Sequence, residues 1–381
     1  MKAYENSNIL ILKLVFRSLF FKESNGFRNS TFHVIRILIL VFCYFPLWMV
    51  NHLALLLDEI FYPKYKKLEI NKPLFIIGIP RSGTTLLFRS LALDQEKFSY
   101  FLLWEILFAP SILQKKLAIW VWKIDRKVKH PLKRTLLFVS ARLSKSLDKK
   151  HFSRLDLPEE DELILFHIFS TAFITFLFPN DSRADRFTHF EESLSTSEKL
   201  KILSFYKKCL QKHLYVYGKN KRFLSKNPTF TAKIPSLLKV FPDAHFIYLQ
   251  RNPEESISSF ISLANSLYQS TFNIKENPLL EKGVEDMLAW YTTIWESNYS
   301  KNEKWLTINY EQLISKPREM VIFLYNNLGF ELSPEMNSKL KKLQSQQSKR
   351  KSEHYYLEIQ KRVKKLLSDQ EIIYLPSGFT D

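Results

Sequence analysis

The chain is poor in glycine and cysteine, with only seven glycines and two cysteines among 381 residues. So few glycines, beside abundant Phe, Lys, Ile and Asn, exclude a low-complexity disordered chain. The pair Cys43 and Cys209 is too small for a disulfide framework and has no metal-binding spacing, so we expect neither a structural metal nor a catalytic one. No small-residue cleavage site follows a short apolar segment, which favours a cytoplasmic location over secretion.

Acidic residues are also scarce: 38 Asp and Glu stand against 56 Lys and Arg, giving a formal charge of +18. Such an excess implies an acidic partner, which can be nucleic acid, anionic lipid or a polyanionic small molecule. The aromatic residues lie within apolar runs and are not interleaved with basic ones, which disfavours nucleic acid. With 46% hydrophobic residues, the chain can build one large domain or two smaller ones.

The first seventy residues differ from the rest, so we divide the chain into an apolar, basic segment at 1–70 and a folded domain at 71–381. Two apolar runs occupy Ile9–Phe21 and Ile37–Val50, and the second resumes after a polar pause. Three alternatives remain open for residues 34–57: a helical hairpin packed on the domain, a monotopic anchor on the inner face of a membrane, or a span. The anchor would have basic flanking residues at Lys64, Lys66 and Lys67.

From Pro73 onward, strand patterns alternate with helix patterns. Alternation of this kind predicts an α/β fold with a central parallel sheet and helices on both faces, that is, three layers. Ligands should then bind at the carboxyl ends of the strands. The predicted strands are Leu74–Ile79, Arg222–Ser225, His245–Gln250 and Trp305–Asn309. A helix is predicted over Thr229–Phe241, and another begins at Pro317 and ends just before Gly329.

The first predicted strand leads into a small-residue loop and then into a helix beginning at Thr84–Thr85. Strand, loop and helix in this order direct backbone N–H groups and a helix N-terminus at one anion. The spacing Gly78-x4-Gly83 has the outline of a P-loop, but Thr84 stands where nucleotide-hydrolysing P-loops need Lys. The sequence therefore predicts a P-loop-like phosphate site without ordinary ATPase chemistry.

A second phosphate site is predicted where the strand His245–Gln250 ends on Arg251. A helix begins near Pro253, and Ser259 lies eight residues after Arg251, about two helical turns along. Because parallel strands end at the same sheet edge, Arg251 should lie beside the first loop. An Arg and a Ser delivered together can hold a phosphate by charged and neutral hydrogen bonds.

Together, Pro80-Arg81-Ser82-Gly83-Thr84-Thr85 and Arg251-Asn252-Pro253 with Ser259 resemble the sulfotransferases that use 3′-phosphoadenosine 5′-phosphosulfate (PAPS), in particular their bacterial branch. The resemblance covers roughly Pro73 to Tyr356. Weaker supporting motifs are Trp104-Glu105, Leu157-Pro158-Glu159-Glu160-Asp161, Lys226-Asn227-Pro228, Phe241-Pro242-Asp243-Ala244, Asn309-Tyr310-Glu311 and His354-Tyr355-Tyr356.

The resemblance implies that the first loop holds the 5′-phosphosulfate of PAPS and the second motif its 3′-phosphate. Arg81 would stabilise charge on the leaving phosphate, Thr84 and Thr85 would donate hydrogen bonds to the 5′-phosphate, and Lys226 would add a positive contact. Sulfonate transfer depends on positioning and charge stabilisation, and it needs no bridging Mg²⁺. The PAPS-binding residues implied are Arg81, Ser82, Gly83, Thr84, Thr85, Arg251 and Ser259.

The acceptor hydroxyl needs a general base. Glu105 is the first candidate, because its place after the first helix is similar to that of the catalytic Glu in related sulfotransferases and its neighbours are apolar, which would raise its pKa. His151 is the rival, since some relatives use His. Glu159 and Glu160 are interpreted as positioning residues or as an exposed helix start.

Two alternative functions stay open beside a sulfotransferase. One is a P-loop kinase or NTPase, which would require Mg²⁺ and a Lys after Gly83; the other is a non-catalytic basic protein bound to a membrane surface. The acceptor also stays open among hydroxyl-bearing small molecules, lipids and glycans. The apolar N-terminus and the basic stretch Ser111–Lys150 favour a membrane-associated lipid or glycan.

Overall fold

The computed structural model describes residues 12–16, 23–24, 27–28, 31–129, 131, 135, 155–178, 182–272, 278–299 and 305–347. Within these ranges a five-stranded sheet forms the centre of the protein. Its strands are β1 Leu74–Gly78, β2 Phe98–Ser99, β3 Arg222–Lys226, β4 His245–Gln250 and β5 Leu306–Asn309. They lie in the order β2-β3-β1-β4-β5, and every neighbouring pair is parallel. The predicted parallel α/β sheet is confirmed.

Eleven helices of six or more residues accompany the sheet in the part of the chain described. They are α1 Thr31–Phe61, α2 Thr84–Leu91, α3 Leu103–Phe108, α4 Ile112–Lys127, α5 Thr196–Tyr217, α6 Ile234–Val240, α7 Pro253–Phe272, α8 Pro278–Asn298, α9 Tyr310–Ser315, α10 Pro317–Leu328 and α11 Pro334–Gln347. Shorter helices cover Ile174–Leu177, Ser182–Asp185 and Phe190–Ser193, and 3₁₀ turns cover Pro63–Lys67, Asp161–Ile168 and Pro228–Lys233. Glu23–Ser24 pairs antiparallel with Phe27–Arg28.

The central strand β1 separates two apolar layers, because successive side chains of a strand point to opposite faces. Phe75 and Ile77 pack in one cluster with residues of α5 and α6, whereas Leu74 and Ile76 pack in another with residues of α2, α10 and α11. All five β1 residues are buried. Burial on both faces is typical of a parallel strand covered by helices, and it confirms the three-layer prediction.

Several predicted boundaries shift in the structure. β1 ends at Gly78, one residue earlier than predicted, and the single helix expected over Thr229–Phe241 is a 3₁₀ turn followed by α6. The division has a cause: Pro235 lies in the first turn of α6, where its missing N–H removes no helical hydrogen bond, whereas farther inside a helix it would remove one. The edge strand β2 was not predicted, because two residues carry no periodic signal.

Helix α1 runs without interruption through Pro46 and through the polar pause between Val50 and Leu53. Asn51 causes no break because it is buried and bonded: its Nδ2 donates to the Leu107 carbonyl at 2.9 Å, and Gln114 Nε2 donates to its Oδ1 at 2.6 Å. Asp58 accepts hydrogen bonds from the first two N–H groups of α4, those of Ile112 and Leu113. Among the residues described, no helix has both the length and the apolar content required to cross a bilayer.

Candidate functional site

The phosphate loop begins at Gly78, the last residue of the central strand. Its φ of 138° lies outside the range that side-chain-bearing residues adopt, and an added Cβ would stand 2.7 Å from the Leu249 carbonyl oxygen of β4. Thr231 holds the same residue from the other side, since the Gly78 N–H donates to Thr231 Oγ1 at 3.2 Å. Glycine is therefore required by the close approach of two strands and a turn.

The loop then turns tightly into helix α2. Ser82 is fully buried and donates from its hydroxyl to the Ile79 carbonyl at 2.7 Å, so its side chain shapes the loop. Arg81 and Gly83 both have positive φ values, 70° and 88°, and Gly83 is the N-cap of α2. The first N–H groups of a helix have no partner within the helix, and here they belong to Thr84 and Thr85. This N-terminus can bind an anion.

The two phosphate motifs meet through Arg81. Its Nε donates to Ser259 Oγ on α7 at 3.1 Å, and Arg251 Nη1 donates to the Arg81 carbonyl oxygen at 2.8 Å. The predicted meeting of the two motifs at one sheet edge is confirmed by these bonds. They place two guanidinium groups and a hydroxyl beside one helix N-terminus.

The guanidinium of Arg251 is held on three sides. Its Nη2 pairs with Glu255 at 2.9 Å, and it stacks on the Tyr310 ring with its central carbon 4.1 Å from the ring centre. Its Nε is buried and makes no hydrogen bond. An oriented cation with an unused Nε–H donor, joined through Arg81 to the Ser259 hydroxyl, fits a second phosphate of the ligand.

Lys226 ends strand β3, one strand away from the phosphate loop. In the β1–β3 register it lies opposite Ile76, two residues before the loop begins. Its Nζ is 2.7 Å from Glu160 and 3.7 Å from Glu159, and its side chain is only 1% exposed. The structure therefore places Lys226 beside Glu159 and Glu160, which the sequence analysis interpreted as positioning residues or as an exposed helix start.

Asp161, the next acidic residue, anchors this segment inside the protein. It accepts hydrogen bonds from the Ser225 hydroxyl at 2.9 Å, from Asn227 Nδ2 at 2.7 Å and from the Tyr206 hydroxyl. Burial raises the pKa of Asp161 to about 6, although these hydrogen bonds lower it. The predicted site did not include Asp161, whose sequence signal is the acidic run next to the Lys226-Asn227-Pro228 motif.

Glu162 fixes the other side of the same segment. It forms a fully buried ion pair with Lys233 and accepts a hydrogen bond from the Thr229 hydroxyl. Asn227 Oδ1 accepts from the Glu162 N–H at 3.0 Å. Burial lowers the pKa of Lys233, and the adjacent Glu162 charge opposes this shift. Because these contacts fix Asp161 and Glu162, the two residues after Glu160, they also hold Glu160 against Lys226. The sequence alone did not predict these contacts.

Glu105 has different surroundings. It is 1% exposed at the first turn of α3, where its Oε2 accepts a hydrogen bond from the Leu102 N–H at 2.8 Å. Its Oε1 is 3.9 Å from His213 Nδ1 on α5. Burial raises the pKa of Glu105, and the buried charge of Lys115 on α4 opposes the shift. The apolar setting and the raised pKa agree with the sequence prediction, but these partners belong to α3, α4 and α5 and not to the phosphate loop. His151 lies outside the described residues.

A parallel α/β sheet, a loop with a P-loop outline after its central strand and a cationic motif at the end of the next strand together define a P-loop-like fold. The chain belongs to the sulfotransferase family, which it matches over residues 73–334.

Solved structures share the fold. The sulfotransferase STF1 of Mycobacterium tuberculosis H37Rv superposes with a TM-score of 0.71 at 18% identity, covering 96% of this chain and 93% of that one. The sulfotransferase STF9 of Mycobacterium avium gives a TM-score of 0.69 at 16% identity, covering 98% and 99%. At these identities the likeness concerns the fold.

The omega-hydroxy-beta-dihydromenaquinone-9 sulfotransferases Stf3 of Mycobacterium bovis and Mycobacterium tuberculosis are 26% identical to this chain over 278 residues. The match covers 68% of this chain and 62% of those relatives, which is less than two thirds of their length.

Proposed function

We propose that this sulfotransferase transfers a sulfonate group from PAPS to a hydroxyl of its acceptor. The observation that carries the proposal is the junction of Arg81, Arg251 and Ser259 at the N-terminus of α2. One phosphate site would suit any nucleotide. Two adjacent cationic sites suit a nucleotide with phosphate on both its 5′ and 3′ positions.

The phosphate loop and the second phosphate motif would each bind a different phosphate of PAPS. The N–H groups of Thr84 and Thr85 would hold the 5′-phosphate, while Arg251 and Ser259 would hold the 3′-phosphate. When bound, the donor supplies an electrophilic sulfonate and a bisphosphate leaving group. Arg81 would stabilise the negative charge that develops on that leaving group, and Lys226, one strand away, would act on the transferred group.

For the general base, the contacts favour Glu160 over Glu105. Glu160 is partly exposed and touches Lys226, whereas Glu105 is enclosed by α3, α4 and α5 and caps α3. A base must reach the acceptor hydroxyl directly or through one water molecule. Glu105 remains the competing candidate for the base, and separate substitutions of Glu105 and Glu160 distinguish between them.

For the acceptor, we propose a hydroxyl-bearing lipid. The Stf3 relatives are named for a hydroxylated menaquinone derivative, and apolar residues are exposed on α1 and α4. We place the reaction in the cytoplasm, at the inner face of the membrane. The free thiols of Cys43 and Cys209 fit a reducing compartment.

The donor site is tested by thermal shift with adenosine 3′,5′-bisphosphate, the product that PAPS leaves behind. Adenosine 5′-monophosphate is the matched control ligand, since it lacks only the 3′-phosphate. We expect a saturable rise in melting temperature with the bisphosphate and a much smaller rise with the monophosphate. No shift with the bisphosphate at millimolar concentration would overturn the proposal.

The reaction is tested by incubating the protein with labelled PAPS and a total lipid and glycan extract. We expect label in the lipid fraction. Label confined to glycans would keep the sulfotransfer reaction and refute the lipid acceptor. Binding to vesicles without any label transfer would favour the non-catalytic alternative, and Mg²⁺-dependent ATP turnover would favour the kinase.

A further inference from the structure

Helix α1 exposes a continuous apolar stripe. Its members recur every three or four residues, so they lie on one side of the helix, and each is about half exposed or more. Phe42 is 82% exposed. The α1 stripe consists of Ile35, Leu38, Phe42, Phe45, Met49, Leu53, Leu56 and Ile60.

The opposite side of α1 faces the protein and carries polar residues among apolar ones. Asn51 and Asp58 are fully buried there, and both bond to α4 or to the chain just before it. Lys212 of α5 adds an ion pair to Asp58 at 3.1 Å. A surface helix of a soluble protein normally buries its apolar side and exposes its polar side. In α1 the exposed side is instead apolar while two polar residues are buried, which indicates that its outer side meets an apolar phase.

Helix α4, which docks on α1, repeats the pattern. The α4 stripe consists of the exposed residues Leu117, Trp120, Ile124 and Val128. Lys116, Lys123 and Lys127 each precede a stripe position by one residue and are exposed, so they form a basic row at the side of the stripe. A basic row beside apolar residues, with Trp among them, is typical of helices that lie in the plane of a bilayer surface.

We infer that the α1 and α4 stripes dock this protein onto the surface of an anionic phospholipid bilayer. The stripes would enter the acyl boundary while Lys123 and Lys127 meet lipid phosphates, and the formal charge of +18 favours the same surface. A second copy of the chain fits less well, because a two-fold interface would bring the basic rows of both copies together. Docking also explains an exposed Trp120, which suits the interfacial region.

The docked surface connects to the catalytic region. Trp48 of α1 donates from its Nε1 to the His167 carbonyl at 2.8 Å, and α1 also contacts α7. His167 lies in the last turn of the 3₁₀ segment that follows Glu160, the partner of Lys226. If the proposed function holds, the acceptor side of the site is tied to the helix that lies on the bilayer. A lipid acceptor could then be reached without leaving the membrane.

Sedimentation of the full chain with vesicles tests the inference. One set of vesicles contains phosphatidylcholine alone, and the other also contains phosphatidylglycerol. We expect binding to the anionic set that falls about tenfold in Leu53→Ser/Leu56→Ser, because two exposed apolar side chains leave the acyl boundary. The matched control is Leu200→Ser/Phe323→Ser, which removes two other exposed apolar residues, on α5 and α10.

Charge is tested separately with Lys123→Glu/Lys127→Glu, against Lys208→Glu/Lys239→Glu at exposed positions on α5 and α6. We expect the α4 pair alone to abolish the preference for anionic vesicles. The inference is overturned if the unaltered protein stays in the supernatant, or if the α1 double variant sediments as well as the unaltered protein. It is also overturned if that variant converts a dimer into a monomer while vesicle binding is unchanged.

Thermal shift with adenosine 3′,5′-bisphosphate, measured on the same variants, distinguishes failure of the docking surface from failure of the proposed function. The α1 and α4 variants should retain the full shift, because none of their positions belongs to the phosphate loop or to the ends of β3 and β4. Loss of vesicle binding with an intact shift supports the docking surface. Vesicle binding without any shift in the unaltered protein refutes the proposed function and leaves the docking surface standing.

Discussion

Arg81 Nε donates a hydrogen bond to Ser259 Oγ at 3.1 Å, and this bond joins the phosphate loop to helix α7. Arg251 closes the junction from the other side by donating to the Arg81 carbonyl oxygen. The cationic side chains are therefore oriented before any ligand arrives. Orientation in advance lowers the ordering cost of binding, which is the reason to expect measurable affinity for the nucleotide product alone.

The first prediction concerns that junction. Ser259→Ala should raise the dissociation constant for adenosine 3′,5′-bisphosphate about 10- to 100-fold, because a hydrogen bond to a charged group contributes about 1.5–3 kcal/mol. Isothermal titration measures the change. Ser258→Ala is the matched control, since the Ser258 hydroxyl donates to the Glu254 carbonyl within α7 and does not touch the loop. Equal affinities of the two variants would contradict the role of Ser259.

The second prediction concerns the backbone of the loop. Gly78→Ala should lower the free energy of unfolding by about 2–4 kcal/mol, because the new Cβ would collide with the Leu249 carbonyl and the positive φ would be strained. Gly283→Ala is the control: nothing lies within 4 Å of its added Cβ, and it should stabilise helix α8 by about 0.5–1 kcal/mol. Urea unfolding of both variants gives the values. An unchanged free energy of unfolding in Gly78→Ala would show that β1 and β4 lie farther apart at this residue.

The third prediction separates the two candidate bases. Glu160→Gln should lower kcat about 10²–10⁴-fold with little change in bisphosphate affinity, since only proton transfer is lost. Glu105→Gln should leave kcat within a fewfold but lower the melting temperature, because the buried charge of Lys115 loses its partner.

Glu159→Gln serves as the control for the third prediction, because Glu159 approaches the same lysine at 3.7 Å. It should reduce kcat far less than Glu160→Gln. The opposite result for the two main variants, a large loss of kcat in Glu105→Gln and none in Glu160→Gln, would make Glu105 the base.

The fourth prediction concerns pH. Burial raises the pKa of Asp161 from 3.8 to about 6, so the folded protein holds this proton more tightly than the unfolded chain does. Its contribution to stability is therefore greatest below pH 4 and declines as the pH rises to 6, by about 3 kcal/mol in all. Asp161→Asn removes this titration, so its stability relative to the unaltered protein should increase over that interval.

Urea unfolding between pH 4 and pH 7 measures this difference, and other titrating groups largely cancel because both proteins contain them. Among these is His167, whose pKa burial lowers to about 4 and whose contribution has the opposite sign. A difference that is constant with pH would show that Asp161 has the same pKa in the folded and unfolded states.

The sequence predicted those parts of the fold whose signals are local. The apolar run of β1, the loop after it and the strand that ends at Arg251 each occupy a single short stretch, and all were found as expected. Pro317 and Gly329 likewise marked the ends of α10 correctly. These features depend on neighbouring residues, so one chain is enough to reveal them.

The missed features depend on contacts between distant stretches. The pairing of Glu160 with Lys226 and the burial of Asp161 arise only when the acidic run packs against the end of β3. The polar pause at Asn51 lies inside α1, and the sequence does not show that Leu107 and Gln114 supply its hydrogen-bond partners. Periodicity reports which side of a helix is apolar, but it does not report which side faces inward.

The position of β1 in the sheet has a consequence for how the protein is made. Leu74 pairs with Leu224 on one side and with His245 on the other, so the central strand has no partner until β3 and β4 have been synthesised. At about 5–20 residues per second, ribosomes need roughly ten seconds or more to cover that interval. Helix α1 and its bonding partners on α3 and α4 all precede β3 in the chain. The nascent chain therefore presents its outward apolar helix well before it can bind a nucleotide.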